Sequence, residues 1–234
     1  MGRSKHNYLF PLIMVSNFTR AEITFKNEIE TSTHKKNCSA KREYVVLDTS
    51  KTSQYYSSLV RINQKVKKRM TVGRKLNHQD CPENSSDERF EYINLATISG
   101  QNNTAIGISF TFLFPGGSGR YIKNCFTYKL NDGSEIDLKK CLKKNAIPQI
   151  QKRLCQKATN DHIDYNQDQQ ERLKKYHCND SFNDAELCLH NKGVNVLVPW
   201  LGNWRTVSES FLLSSDEINE YFTKKCTNFI KGSN

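Results

Sequence analysis

The sequence has no run of about 18 apolar residues, so no stretch of it crosses a bilayer as an apolar helix. It has no C-x-x-C pair, which argues against a zinc ribbon or a thioredoxin-type redox site. P-loop, dinucleotide, H-E-x-x-H and H-x-x-x-H patterns are absent, so nucleotide-dependent and zinc-protease chemistry lack their usual residues. Zinc-finger, helix-turn-helix and RNA-recognition signatures are missing too. No collagen, heptad or solenoid period is present. No Pro/Gly-rich linker divides the chain, which has only 5 prolines. No cofactor and no metal are expected.

Acidic residues are also in deficit. Against 35 Lys+Arg stand 24 Asp+Glu, a net charge of +11 over 234 residues, while 36% hydrophobic residues suffice for a packed core. Such a chain draws anionic partners through long-range steering: nucleic acid, anionic wall polymers, lipid headgroups or acidic proteins. An ordinary solvated surface would produce the same balance.

The eight cysteines are Cys38, Cys81, Cys125, Cys141, Cys155, Cys178, Cys188 and Cys226. An even set spread along the chain suits disulfides in an oxidising compartment, and at least two bridges are expected. Eight cysteines allow about a hundred pairings, so connectivity is not readable. The N-terminus points the same way. Arg3 and Lys5 precede an apolar stretch over 8–15, and Thr19 and Ala21 supply small residues before a cut. Residues 1–21 thus read as a short signal peptide, interrupted by Pro11, with an ordinary first strand as the alternative. Cleavage would remove Arg3, Lys5 and Arg20 and leave the chain basic. The expected location is secreted or periplasmic. Asn-x-Ser/Thr sites at Asn17, Asn37, Asn84, Asn102 and Asn179 are within what so Asn- and Ser/Thr-rich a chain yields by chance.

Strands are expected over 21–29 and 43–48. Tyr55, Leu59, Ile62, Val66 and Met70 recur at helical spacing, with Arg61, Lys65, Lys67, Lys68 and Arg69 on the other face. Residues 76–88 read as a loop. A strand over 90–99 precedes strict alternation of Ile106, Ile108, Phe110, Phe112 and Phe114, with Ile108, Phe110 and Phe112 expected on the buried face. A third strand over 121–130 ends at Asn131-Asp132-Gly133, a hairpin turn. A short helical turn around Leu138, Cys141 and Leu142 leads to a helix with Pro148 near its start and Ile147, Ile150 and Leu154 facing the core. Residues 158–177 are polar, a short helix or ordered loop. Strands over 185–190 and 194–200 flank a turn at Asn191-Lys192-Gly193, and 205–213 is another strand candidate. Ser214-x-x-Glu217 is a capping-box signature opening a last helix through Phe222. The expected class is α+β, a largely antiparallel meander with helices packed on one side. One domain over 22–234 is expected, with a smaller N-terminal lobe at 22–80 as the variant.

Catalytic motifs fail on inspection. Gly116-Gly117-Ser118-Gly119 is not a nucleophile elbow, because position 120 is Arg and the loop leads into a strand rather than a helix. Asp161, His162, Asp164 and Asp168 lack a second histidine at ligand spacing. His177 beside Cys178 does not make a dyad.

The order of elements over residues 43 to 222 resembles a bacterial extracytoplasmic domain family of unknown function. Its members occur in the lysozyme-sensing anti-sigma factor RsiV and beside the catalytic domain of the deacetylase PdaC. The resemblance rests on Ile62-Asn63 in the first helix, Ile108-Ser109-Phe110 running to Gly116-Gly117, and Leu130-Asn131-Asp132-Gly133 continuing to Leu138. It continues through Lys192-Gly193-Val194, Pro199-Trp200, Phe211-Leu212-Leu213 and Ser215-Asp216-Glu217-Ile218. Two loops depart from the family. Gly119 stands where a His is frequent, and Trp204 to Ser208 replace an Ala-Gly-rich step.

The resemblance implies a non-catalytic binding module outside the cytoplasm. Its partner would be a wall-lytic, lysozyme-like enzyme or the cell wall itself, making an inhibitor or immunity protein one form of it. Animal lysozymes are cationic, and like charges slow association, so an acidic protein or an anionic wall polymer suits this chain better. The divergent loops are where partner contact is expected, through Gly116, Gly117, Ser118, Arg120, Trp204 and Arg205. A Trp204 packed into the core is the plainer reading. Two other classes stay open: an uncharacterised secreted hydrolase, and a nucleic-acid-binding protein using Arg61, Lys65, Lys68 and Arg69, nucleic acid being the less favoured partner.

Overall fold

A computed structural model describes residues 23–35, 38–49, 54–72, 90–114, 120–161, 166–168, 170–171, 181–198 and 209–232. The chain is α+β. A six-stranded sheet holds β1 (Phe25–Lys35), β2 (Cys38–Leu47), β3 (Phe90–Gln101), β4 (Ala105–Phe114), β5 (Arg120–Lys129) and β6 (Glu135–Ile136) in that order. The expected β3–β4–β5 meander is its centre, paired antiparallel throughout. β2 and β3 run parallel, and helix α1 (Tyr56–Val72) lies in the connection between them. That parallel pair follows from chain direction across a helical crossover, which no local pattern reveals.

A second sheet is smaller: β7 (Glu186–His190), β8 (Gly193–Val198) and β9 (Glu209–Ser214), all antiparallel. Around it stand a 3₁₀ turn (Leu138–Cys141), α2 (Ala146–Asp161), α3 (Ser181–Asp184), α4 (Ile218–Tyr221) and α5 (Lys224–Lys231). Each sheet therefore carries helices on one face, and the other faces meet. The single expected sheet is two.

Two hydrophobic clusters record this layering. Leu59, Ile62, Val66 and Met70 of α1 pack on Ile106, Ile108, Phe110 and Tyr128 of the large sheet. Ile150 and Leu154 of α2 pack with Leu187, Leu189, Val194, Val196 and Leu213 of the small one. Ile108 and Phe110 are fully buried as expected, and Phe112 packs at the margin of the same cluster. Ile147 corrects the sequence reading: expected in the core, it is 40% exposed. Ala146, Ile150 and Leu154, at i, i+4 and i+8, take the inward stripe, and Ile147 lies a quarter turn away.

Asn63 explains its place in the first helix. Its Oδ1 accepts from the Leu47 amide at 2.9 Å, and its Nδ2 donates to the Leu47 carbonyl at 2.8 Å. One side chain thus satisfies both backbone groups where β2 ends. The Ser214–Glu217 box is half realised. Glu217 accepts from the Ser214 amide and hydroxyl, both at 2.8 Å, but the hydroxyl donates to the carboxylate instead of capping an amide. The helix it precedes stops at Tyr221. α5, unforeseen, follows and ends at Gly232 in the left-handed region.

The sheets meet through β7. A Cβ on Gly107 would run into the Leu189 carbonyl oxygen, and one on Gly100 into the backbone of His190 and Asn191. Ser99 Oγ donates to the Leu189 carbonyl at 2.8 Å, and the Leu189 amide donates to Thr127 Oγ1 at 2.9 Å. The Cys125–Cys188 disulfide closes the same contact, and Cys141–Cys226 ties the 3₁₀ turn to α5. Cys155 is also disulfide-bonded, and no described cysteine is free. Bridges of this kind contribute about 2–4 kcal/mol each.

Two variants separate the layers. Phe110→Ala should cost about 3–5 kcal/mol in urea unfolding, from the cavity it leaves. Gly107→Ala should cost about 1–3 kcal/mol or more, because the opposing group is backbone and cannot turn aside. A Gly107→Ala protein as stable as the parent would mean that the sheets stand further apart than described.

Candidate functional site

The basic face of α1 is the first place to look for a ligand, and it is largely engaged within the chain. Arg61 donates to the Asp132 carbonyl at 3.3 Å and Lys65 to the Gly133 carbonyl at 2.9 Å. Arg69 donates to Tyr128 Oη at 3.2 Å and to Glu135 at 2.6 Å, with its guanidinium 3.4 Å from the Phe126 ring centre. These three cations, at i, i+4 and i+8, fasten the helix to the β5–β6 hairpin. The loop carbonyls that they reach are far away in sequence, so spacing alone does not reveal them.

Beside this hairpin lies Glu186, at the start of β7. β6 pairs only with Thr127 and Tyr128 of β5, and just beyond them the Cys125 amide donates to Glu186 Oε2 at 2.6 Å. The carboxylate thus closes an edge donor that β6 does not cover. Burial pushes the Glu186 carboxyl up to about 7 from its ordinary 4.5. The Cys125 amide, Arg69 and Lys139 pull it down, and Glu135 adds to the rise.

A third place is a cavity of about 310 Å³ between α2 and β9, lined by Arg153, Gln156, Lys157, Asn160 and Phe211. The four α2 residues fall at i, i+3, i+4 and i+7, one stripe that flanks the buried Ile150 and Leu154. Arg153 is held in position. It donates to Glu217 Oε1 at 2.6 Å, and its guanidinium lies 4.6 Å from the Phe211 ring centre. Burial alone would raise the Glu217 carboxyl, but the Ser214 hydrogen bonds and Arg153 outweigh it and hold the group below its ordinary value. The charged Glu217 is in turn what fixes Arg153. The wall is donor-rich, with two cations, two amides and a ring edge. Sequence spacing did not single out this stripe. Its only local signal is that seven Lys or Arg and no Asp or Glu lie between Asp137 and Asp161.

Arg120 opens β5 with its backbone paired to Phe114, at the open end of the β4–β5 hairpin. Gly116, Gly117 and Ser118 lie outside the described residues, as do Trp204 and Arg205, in the segment that joins β8 to β9. The expected contact loops are therefore known only by the strands that flank them. His162, Asp164 and His177 also lie outside. Among the described residues no group of three His, Cys, Asp or Glu could hold a metal, and no helix is long and apolar enough to cross a membrane.

No protein-family model matches the chain, and no curated protein matches it. The fold is similar to that of a DUF3298 family protein from Bacteroides fragilis, with a TM-score of 0.53 over 92% of this chain and 98% of that one at 9% identity. A DUF3298 family protein from Pseudomonas aeruginosa aligns with a TM-score of 0.47 over 87% of this chain and 95% of that one, also at 9% identity. At such identity the likeness is one of fold alone.

Glu186 gives a pH prediction. Its folded value lies above the unfolded one, so the native chain keeps a proton that the unfolded chain releases. Stability should therefore fall as pH rises from about 4.5 to about 7 and level off above. Glu186→Gln retains an acceptor for the Cys125 amide without the charge. It should flatten that decline and exceed the parent at about pH 8 by up to roughly 3 kcal/mol. Urea unfolding at pH 4 and pH 8 checks this. Parallel profiles for the two proteins would show that Glu186 is ionised in the native state.

Proposed function

We propose that this chain is an exported, non-catalytic binding module whose partner is anionic, either a wall polymer or an acidic wall-lytic enzyme. The observation that carries the reading is the donor-rich stripe of α2, set in a segment with seven Lys or Arg and no carboxylate between Asp137 and Asp161. The α1 cations Arg61, Lys65 and Arg69 serve the fold, so α2 is the better candidate for a basic contact face. Disulfides across and beside the sheets support an oxidising compartment. The resemblance of the sequence to the extracytoplasmic domains of RsiV and PdaC supports binding rather than catalysis; the likeness to a DUF3298 family protein is one of fold.

A packed double sheet that anchors its connecting segments is a scaffold suited to recognition. Trp204 and Arg205 lie in the segment leading into β9, the strand that supplies Phe211 to the cavity. Both residue types are frequent in binding hot spots. We assign partner contact to this segment together with the α2 stripe.

The test uses the purified protein with isolated wall material and with envelope extract. Binding at low salt that is lost at high salt, without release of sugar or peptide fragments, is the expected result. Fragment release would make it a hydrolase, and binding to neither fraction would remove the proposal. Trp204→Ala combined with Arg205→Ala should weaken the interaction by at least about 2 kcal/mol with little change in Tm. A double variant that unfolds, or binds as well as the parent, would make this segment structural.

A further inference from the structure

We infer that the outer edge of β1 pairs antiparallel with the same edge of a second copy of this chain, so that two large sheets join into one. β1 borders only β2 in its sheet, and among the described residues no strand takes its other side. It runs 11 residues, has no proline, and pairs with β2 without a break from Phe25 to Thr33. An edge of that length presents a row of backbone donors and acceptors to another strand. Which groups face out follows from the ladder. The Asp48 amide donates to the Thr24 carbonyl at 2.8 Å, so Thr24 and, by alternation, Lys26, Glu28 and Glu30 bond toward β2. Phe25, Asn27, Ile29 and Thr31 therefore turn their amides and carbonyls outward. Leu47, opposite Phe25, obeys the same alternation: its amide and carbonyl point away from β1 and meet Asn63.

The side chains choose the partner and the register. Charged edge residues commonly block pairing, and those of β1 block the neighbouring registers. A two-fold axis at Ile29 sets Glu28 against Glu30, and one at Glu28 sets that residue against itself. An axis at Asn27 sets each Lys26 against the second copy's Glu28 and each Phe25 against the second copy's Ile29. Lys26 Nζ already lies 3.0 Å from Glu28 Oε1 of its own strand, and Tyr44 Oη donates to Glu28 Oε2 at 3.2 Å. Those contacts stay, because an ionised carboxylate accepts about four hydrogen bonds. The second lysine joins them and completes a row of alternating charges. On the opposite face Phe25 is 51% exposed and Ile29 half-buried, and an aromatic residue across from a β-branched one is a favourable cross-strand pair. The whole chain carries +11, but residues 21–34 hold three Glu and one Lys. Long-range steering thus draws this acidic edge toward a basic second copy.

The experiment is sedimentation equilibrium of the full chain from about 1 µM to about 1 mM. A strand edge buries less than a standard interface, so the parent should pass from monomer to dimer within that range. Asn27→Pro removes the outward amide at the axis and leaves the ladder to β2 intact. It should raise the dissociation constant at least about tenfold with little change in Tm. Lys26→Glu and Glu28→Lys each set like charges against one another at both ends of the axis, and each should raise it at least about tenfold. Mixed in equal amounts, these two variants should form a heterodimer, because every cross-strand charge pair is then Lys against Glu. Glu30→Gln, opposite Thr24 in this register, should change the constant less than about twofold.

A parent that stays monomeric to about 1 mM leaves the edge to some other strand and overturns the inference. A dimer that Asn27→Pro and both charge reversals leave intact lies on another surface and overturns it as well. Reversals that weaken association alone but form no heterodimer when mixed overturn the pairing about Asn27. Should Asn27→Pro unfold, the charge-reversed pair decides. The wall-binding test stands apart, since neither Trp204, Arg205 nor the α2 stripe lies on β1.

Discussion

The structure depends on how closely β7 lies against the large sheet. Two packed sheets normally stand about 10 Å apart, with side chains between them. Here Gly100 and Gly107 remove the intervening side chains, and the backbone of residues 189–191 comes into direct contact. A strand that close brings its peptide groups out of water, and each needs a partner. Thr127, Ser99 and Asn191 supply them: the Leu189 amide, the Leu189 carbonyl and the Gln101 amide are all met by side chains across the contact. The Cys125–Cys188 bridge then makes the pairing covalent. With β7 fixed, β8 and β9 extend from it, and their remaining apolar face must be covered. α2, α4 and α5 do so.

The same economy governs the neighbouring turn between β3 and β4. Asn102 is 7% exposed and joins three segments. Its Oδ1 accepts from the Thr104 and Ala105 amides, and its Nδ2 donates to the Phe229 and Ile230 carbonyls at the end of α5. The Phe229 carbonyl also accepts from the Gly232 amide at 3.2 Å, and both carbonyls lie in the last turn of the helix, where Asn102 acts as a cap supplied from a distant loop. It is also the acceptor of an Asn-x-Thr sequon. The nitrogen that a glycan would occupy is the one holding α5, so in this fold the site is structural.

What was legible in the sequence was local. Ile106, Ile108 and Phe110 alternate because one strand face meets α1, and Leu59, Ile62, Val66 and Met70 recur because one helix face meets that strand. Asn131-Asp132-Gly133 forms a turn by its own chemistry, with Gly133 at φ +69°. What was not legible was paired at long range. A glycine in a strand reads as a weak point, and only the presence of β7 shows why Gly107 has no side chain. The parallel β2–β3 pair, the partner of each cysteine and the second sheet all depend on contacts between residues far apart in sequence. α5 escaped because it is only eight residues long and its apolar face is narrow. The expected contact loops belong to this class as well, since recognition depends on what a rigid frame holds together.

Charge shows the limit most clearly. Sequence gives α1 and α2 the same character, each a helix carrying several Lys and Arg. In the fold they differ. Arg61, Lys65 and Arg69 meet loop carbonyls, Glu135 and two aromatic rings, so their positive charge holds the hairpin and is partly offset there. On α2, Arg153 is held by Glu217, but the stripe it belongs to opens onto a cavity rather than onto the chain's own backbone. The difference lies in the opposing surface, not in the helix. A hairpin turn offers carbonyl oxygens in excess of its own donors and so attracts α1's cations. β9 offers Phe211, which can stack with a guanidinium but cannot accept strong hydrogen bonds from it. Arg153 has its acceptor in Glu217, and the other N–H groups of its guanidinium are where an anionic ligand from solution has the most to offer.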